Sequence, residues 1–456
     1  MKLVYNVDDK PKFGQLIIFG VQQLLAIMAA TLVVPVTIGN GMSSAAALFG
    51  AGVGTLIYIL FTKKRSPVFL GSSFAFIGSM FAAFAGGVSM SLGFLGLILG
   101  ALFAGLVYVV IAIIVKFAGV KWINKLMPAV VIGPTVSIIG LSPAGNAIGD
   151  LTSGGLKVDG ASVASPYVAL ICGLVTLFVV CISSVYSKKT AKLIPFIIGI
   201  LSGYAVAAIF TIIGNAAGID ALKVIDFSHI TALFANGISI NSFVKVPDFT
   251  FLTAFKGISE LNASYVITII AAYVPVAFVV FAEHIADHKN ISTIIEKDLL
   301  EDPGLSRTLL GDGIGSMIGA FFGGCPNTTY GESVGCVAIT RNASIFTIIA
   351  AAIMAMIISF VSPFVAFVNS IPSCVMGGVC VALYGFIAVS GLKMIQKVDL
   401  EDNRNLFVVS AILIAGIGGL TVKFGNVEIT TIACALILGI VINIILSKKK
   451  DVVTEK

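Results

Sequence analysis

Cys325-Pro-Asn-Thr-Thr-Tyr-Gly-Glu-Ser-Val-Gly335 decides how the chain is read. It lies between two apolar spans, residues 309–322 and 344–367. Pro326, Gly331 and Gly335 keep it from running as one continuous helix through lipid. It also carries a carboxylate, Glu332, where the neighbouring chain is hydrocarbon-like. Broken backbone at membrane depth survives only where it lines a protein-buried or wet cavity. An ionisable side chain in such a place marks a functional site. The rest of the chain reads as machinery for holding this break.

The composition agrees with a membrane setting. Of 456 residues, 58% are hydrophobic and 11% charged, with a mean hydropathy of +1.08. A soluble domain carries about 25% charged residues, so that class is excluded. About 20 apolar residues span a bilayer as a helix. Fourteen spans can be marked: 13–36, 43–62, 67–85, 92–115, 127–148, 166–186, 193–214, 262–286, 305–323, a short 332–341, 344–367, 372–392, 405–421 and 428–446. A barrel would instead show weak alternation over short segments. The fold class is therefore an all-α polytopic membrane protein, and its 48 Gly suit close helix approach in lipid. The first span is too long for a signal segment and lacks a cleavage site, so it is expected to remain as a membrane helix. The seven Cys lie in or beside apolar spans without C-x-x-C spacing, and read as small packing residues rather than a zinc site or disulfide framework.

Charge placement sets the expected topology. With the N-terminus inside, all but five of the 28 Lys and Arg fall on inner segments, the exceptions being Lys157, Lys223, Lys245, Lys256 and Lys423. Inner segments carry Lys63-Lys64-Arg65, Lys116, Lys121, Lys125, Lys188, Lys189 and Lys448-Lys449-Lys450, among others. That asymmetry is the positive-inside pattern. It places both termini in the cytoplasm, requires an even span count, and explains the net charge of +6 without any nucleic acid.

A polar segment, residues 215–261, divides the spans seven and seven. An odd number per half forces the halves into opposite orientations, the requirement for an inverted repeat. The third span of each half is the test. In the first it holds Ser66-Pro-Val-Phe-Leu-Gly-Ser-Ser-Phe-Ala-Phe76; in the second it is Cys325–Gly335. Both run Pro, small polar residues, then an aromatic ring. Paired interruptions at matching places point to a transport site. Extended Ser/Thr-rich backbone before each half-helix can form a short strand, and two antiparallel strands would satisfy each other. The competing reading is a pair of loops grazing the interface.

The eighth span ends Phe281-Ala-Glu-His-Ile-Ala-Asp-His288. Glu283 and Asp287, four apart, share a helix face, and His284 and His288 share the next. Glu283 is expected in the site and Asp287 is a candidate. His284 more often caps or packs, and His288 with Lys289 is expected in the solvated helix end. A zinc protease needs H-E-x-x-H with Glu inside the pair. Here Glu283 stands outside it, so an intramembrane metal-dependent enzyme is set aside, and no metal or cofactor is expected. Asp312, within Gly311-Asp-Gly313, is a further polar candidate, for packing, gating or ligand contact.

Long motifs add a resemblance that runs almost the whole chain. Gly71-Ser-Ser-Phe-Ala-Phe76, Ala282-Glu-His284, Lys297-Asp-Leu-Leu300 with Asp302-Pro-Gly304, Pro326-Asn-Thr-Thr-Tyr-Gly-Glu332 with Gly335 and Thr340-Arg341, and Pro372 with Val375-Met-Gly-Gly378 and Leu383-Tyr-Gly385 resemble the nucleobase–ascorbate transporter family. Within it they look like its bacterial uracil:proton symporters. The resemblance implies fourteen helices in two inverted sevens, with broken spans 3 and 10 carrying short antiparallel strands. It implies a core domain (13–118 and 262–371) and a gate domain (119–261 and 372–446). It further implies that Glu283 and Glu332 hold the base, that backbone at Phe74 and Tyr330–Gly331 meets its carbonyls, that Ser73 adjoins them, that Phe74 and Tyr330 form apolar walls, and that Tyr384 covers the site from the gate. The chain departs from the family pattern at Ser333, where Asn is usual, and at Asp287, where some relatives have His.

Side-chain chemistry fits that implication. Uracil presents two N–H donors and two carbonyl acceptors around a flat ring. Carboxylates can accept from the N–H groups, and backbone N–H groups at a half-helix start can donate to the carbonyls. A carboxylate in a dry site can carry a proton, which makes Glu283, Asp287 and Glu332 the proton-coupling candidates. Relatives carrying xanthine or urate tend to have Gln at the signature position, so Glu332 favours uracil over purines. A channel for small neutral solutes would not need carboxylates at paired helix breaks. An anion exchanger of the same overall fold would place a helix dipole or cation at the substrate. The expected partners are uracil, a proton, the bilayer of the cytoplasmic membrane and a second copy of the chain.

Overall fold

The computed structural model describes residues 3–119, 128–158, 161–188, 191–192, 194–235, 237–424 and 427–447. Lys2, Lys121, Lys125, Lys189, Lys448–Lys450 and Lys456, on which part of the expected charge asymmetry rests, lie outside the described residues. The chain is mostly helical. Among the described residues, 8 helical stretches are long and apolar enough to cross a membrane. They are α1 (Phe13–Ile38), α2 (Ser44–Phe61), α4 (Met90–Ala118), α5 with α6 (Ala129–Leu141 and Ala144–Asp150), α7 (Pro166–Tyr186), α8 (Pro195–Ala217), α9 (Ala263–Ile295) and α14 (Ser373–Ile395). Shorter helices are α3 (Ile77–Ala83), α10 (Leu305–Gly323), α11 (Gly331–Thr340), α12 (Ile345–Ile358), α13 (Ser362–Ser370), α15 (Asn403–Ile417) and α16 (Thr431–Ser447).

Local chemistry sets several boundaries. Ser43, Ser89 and Asn262 accept backbone N–H groups of Ala46, Leu92 and Tyr265 and so start α2, α4 and α9. Proline opens α7 and α8, where its missing N–H costs nothing. Three boundaries differ from the sequence reading. The fifth span bends at Ser142-Pro143, because proline cannot continue the hydrogen-bond ladder. The eleventh is two helices parted at 359–361, just before Pro363 at the start of α13. The eighth does not stop at 286: α9 runs to Ile295, where Glu296 turns left-handed. Of the polar residues in its C-terminal half, His284, Asp287 and His288 are packed within the protein. Asp287 and His288 are 7% and 0% exposed, which corrects the expectation that His288 is solvated. Of the cysteines, Cys181 is exposed on α7 and the others are buried.

The helices pack in two groups. α10 lies against α2 and α4, and α9 against α4; α14 lies against α5, α6 and α7. The α2–α10 crossing is close because glycines face each other. A Cβ on Gly54 would come 2.7 Å from the Gly315 carbonyl oxygen, and one on Gly315 would come 2.7 Å from that of Gly54. Gly54 and Gly319 also leave the space filled by the Asn327 side chain, whose Nδ2 donates to the Gly50 carbonyl at 3.1 Å.

That crossing frames the two interruptions. β1 (Leu70–Ser72) and β2 (Asn327–Thr329) pair antiparallel, with Leu70 opposite Thr329, Gly71 opposite Thr328 and Ser72 opposite Asn327. The ladder continues at each end, with Ser73 N–H donating to Pro326 at 2.9 Å and Tyr330 N–H to Phe69 at 3.2 Å. All six strand residues are buried. α3 leaves β1 by way of a helical turn at Phe74–Phe76, and α11 leaves β2 directly.

Valine at Gly54 or Gly315 should drive α2 and α10 apart, at a cost of about 1–3 kcal/mol or more. The check is the thermal unfolding and monodispersity of purified variants, with Gly145→Ala as a control, since nothing lies within 4 Å of a Cβ there. Unchanged melting of Gly315→Val would show that the crossing tolerates bulk.

Candidate functional site

Glu283 and Asp287 stand on one face of α9, and Glu332 is the second residue of α11. The break brings them together. Thr329, the last residue of β2, donates its hydroxyl to Asp287 Oδ2 at 2.8 Å. A Cβ on Gly331 would lie 3.8 Å from Asp287 Oδ1. These contacts set Asp287, one turn from Glu283 on α9, against the start of α11, where Glu332 stands. Glu283 and Glu332 are half-buried and Gly331 is exposed, so the three border accessible space rather than sitting sealed in the core.

The backbone around them is held rigidly. Tyr330 donates its hydroxyl to the Ser72 carbonyl at 2.8 Å, and its ring fills the position a Cβ on Gly71 would take. The Tyr330 N–H is spent on Phe69, so of the two backbone donors expected at Tyr330–Gly331 only Gly331, first in its helix, keeps an N–H without a helical acceptor. Phe74 starts its helical turn in the same way. Ser73 Oγ is buried and has no hydrogen-bond partner among the described atoms. On the facing side, Tyr384 sets its ring edge-on to Phe74 at 5.9 Å, with its hydroxyl 3.4 Å from Thr37 Oγ1.

A cavity of about 710 Å³ approaches this place from one end of the molecule. It runs between α3, the α5–α6 bend, the start of α9 and the start of α16, and Phe74, Asn146, Asn262 and Thr430 line it. Of the expected site residues only Phe74 borders it; Glu283, Asp287 and Glu332 do not. Tyr384, whose ring meets that of Phe74, does not line it.

Several neighbours of the site escape a reading of motifs. Ser333 Oγ accepts the Phe69 N–H at 3.0 Å and is hydrogen-bonded to the Gln23 amide. Ser333 thus satisfies a backbone donor that lies before β1, in the other broken span. Thr55 on α2 does the same for the Leu70 N–H at 2.9 Å. On the adjacent face of α9, His284 Nδ1 lies 2.6 Å from Asp312 Oδ2, and His288 Nε2 lies 2.6 Å from the Tyr58 hydroxyl. The signal for all of these was present: single polar side chains inside apolar helices.

With that geometry in view, known proteins can be compared. A model of a permease family matches residues 14–425. The chain is 37% identical to a uracil permease of Bacillus caldolyticus over 449 residues, covering 98% of this chain and 95% of that protein. It is 36% identical to a uracil permease of Bacillus subtilis (strain 168), covering 99% and 97%. It is 35% identical to a uracil permease of Escherichia coli (strain K12), covering 96% and 93%. Among solved structures it is similar in fold to the transmembrane domain of a cyanobacterium bicarbonate transporter, BicA, with a TM-score of 0.64, 14% identity and coverage of 97% and 100%. It is also similar to the murine Slc26a9 anion transporter in the inward-facing state, with a TM-score of 0.63, 11% identity and coverage of 96% and 69%.

Ser333→Ala should leave the Phe69 N–H buried without an acceptor, at a cost of about 1–3 kcal/mol. Melting of the purified variant should begin at a clearly lower temperature than that of the parent. Equal melting curves would mean that another group takes up the Phe69 N–H.

Proposed function

The chain belongs to the permease family, as a multi-pass membrane protein and not an enzyme, and from that premise we propose that it imports uracil across the cytoplasmic membrane by proton symport. The observation that carries this reading is the meeting of Glu283, Asp287 and Glu332 with two half-helix starts and two aromatic rings. Glu283 and Glu332 accept the ring N–H groups. The N–H groups of Phe74 and Gly331 donate to the carbonyls, with Ser73 Oγ beside them. Phe74, Tyr330 and Tyr384 enclose the flat ring.

The division of labour follows the packing groups. α1–α4 and α9–α13 form a core domain that holds the substrate, and α5–α8 and α14–α16 form a gate domain. The first seven spans and the last seven are inverted repeats, each contributing to both domains, and both termini are cytoplasmic. In that orientation the cavity that ends at Phe74 opens outward, and separation of Phe74 from Tyr384 admits the base. Rocking of core against gate then gives alternating access. A proton travels with the base, and a homodimer is the expected assembly.

Radiolabelled uracil uptake into vesicles tests the coupling. Uptake should rise as external pH falls, because the loaded form carries a proton, and an uncoupler should abolish accumulation. Uptake that follows a sodium gradient and ignores the uncoupler at clamped sodium refutes proton symport. Glu332 tests the site. Glu332→Ala leaves a ring N–H unpaired, at a cost of about 1–3 kcal/mol, or roughly five- to a hundredfold in affinity. Glu332→Gln keeps an acceptor without the charge and should bind at an intermediate level. If Glu332 only caps α11, as acids in a first turn do, Glu332→Ala would melt earlier yet keep its uracil affinity in calorimetry.

A further inference from the structure

The face of α9 next to that of Glu283 and Asp287 carries His284 and His288, both 0% exposed, against Asp312 of α10, which is 1% exposed. Hydrogen-bond directions can be counted there. His288 Nδ1 lies 2.7 Å from the His284 carbonyl, which only accepts, so Nδ1 carries a proton. Its Nε2 lies 2.6 Å from the Tyr58 hydroxyl, which donates to Ser66 Oγ at 2.6 Å.

His284 differs. Its Nε2 lies 3.0 Å from Thr308 Oγ1, and Thr308 donates its single proton to the Leu305 carbonyl at 3.0 Å. Nε2 must therefore be the donor to Thr308. His284 Nδ1 and Asp312 Oδ2, only 2.6 Å apart, also need a proton between them, since two lone pairs would otherwise face each other. The pair thus holds one proton more than a neutral imidazole and an ionised carboxylate would. Charge balance gives the same result. The titratable groups around the pair are Tyr58 of α2, Tyr108 of α4, Glu283, Asp287 and His288 of α9 and Glu332 of α11, and none is a Lys or Arg. Among the described residues the only ion-pair partner of Asp312 is His284. A lone carboxylate buried this way is not tolerated without a compensating positive charge.

We propose that His284 and Asp312 form a second proton-binding centre, distinct from the carboxylates that face the substrate, and that its proton is the one carried in transport. Asp312 Oδ1 and the Tyr108 hydroxyl have no hydrogen-bond partner among the described atoms, and both residues border a void of about 10 Å³ that Ser316 and Asn327 also line. A void of that size admits one body the size of a water molecule beside Oδ1. The proposal rests on proton symport only in its transport step.

The test uses the full-length chain, which has 3 histidines. His229→Gln removes the exposed one and leaves two imidazoles to observe. In protein labelled with nitrogen-15 histidine, one ring should be neutral with its proton on Nδ1. The other should be protonated on Nε2 and share a strongly deshielded proton at Nδ1. Asp312→Asn in this background should abolish the deshielded proton. Two ordinary neutral rings in the parent would overturn the proposal without reference to uracil. For the transport step, Asp312→Asn should retain uracil counterflow, which needs no net proton movement, and lose accumulation driven by an inward pH gradient. Retained accumulation overturns the carrier role, as does loss of counterflow in a variant that remains folded. A rise in melting temperature on adding sodium that Asp312→Asn removes would assign the void to a metal cation and overturn the proton centre. Absence of uracil counterflow in the parent would instead reject the uracil reading and leave the spectroscopic result standing.

Discussion

Backbone polarity in a place without water governs this structure. A helix through lipid satisfies its own N–H and C=O groups, and a broken one does not. The chain breaks twice at about the same depth, and each break supplies what the other lacks. β1 and β2 exchange backbone hydrogen bonds, and the groups just beyond the ladder are met by Pro326 and Phe69. Side chains complete the accounting. Ser333 takes the Phe69 N–H, Thr55 takes the Leu70 N–H, and Tyr330 donates to the Ser72 carbonyl. Neither break is stable alone in this environment, so the two halves of the chain are tied together at the candidate site itself.

The consequence is preorganisation. Tyr330 is fixed by its hydroxyl and by the bare Gly71 beneath its ring, and Asn327 by the glycines of α2 and α10. The half-helix starts at Phe74 and Gly331 are therefore aimed by backbone pairing and not by flexible loops. α9 passes alongside with two chemically different faces. One presents Glu283 and Asp287 to the break, and the other buries His284 and His288 against Asp312 and Tyr58. A shift of α9 would be felt on both faces at once.

Much of this could be read from the sequence, for identifiable reasons. Hydropathy marks the spans because lipid demands long apolar runs, and Pro and Gly beside small polar residues mark the breaks. Glu283 and Glu332 stand out because a charge inside an apolar run is costly. The extent of α9 could not be read, since Asp287, His288 and Lys289 look like a helix end meeting water. The structure buries the first two by supplying partners from distant parts of the chain, Thr329 for Asp287 and Tyr58 for His288. No local pattern encodes such partners. The bend at Ser142-Pro143 and the parting at 359–361 were missed because apolar residues resume beyond each, so a single span could be drawn across the proline. Ser333 was visible only as a departure from a motif. Its bond to the Phe69 N–H requires the other half of the chain to be in place.

The fold alone does not identify what is carried, and the structures similar to it make the point. BicA is a bicarbonate transporter and Slc26a9 an anion transporter, and both match this chain closely in architecture at 14% and 11% identity. Two half-helix starts converging on one place form an environment that attracts anions, through free N–H groups and aligned dipoles. In this chain Glu332 occupies the first turn of α11, with Glu283 and Asp287 across from it. Carboxylates there offset the dipole and repel an anion. They leave a rim of acceptors beside a few backbone donors, which suits a neutral, flat ligand that both donates and accepts. In the proposed site, the step from an anion pocket to a nucleobase pocket is then a change of side-chain charge on an unchanged backbone. The same backbone that must be broken to be useful supplies the donors, and the acids decide what those donors can hold.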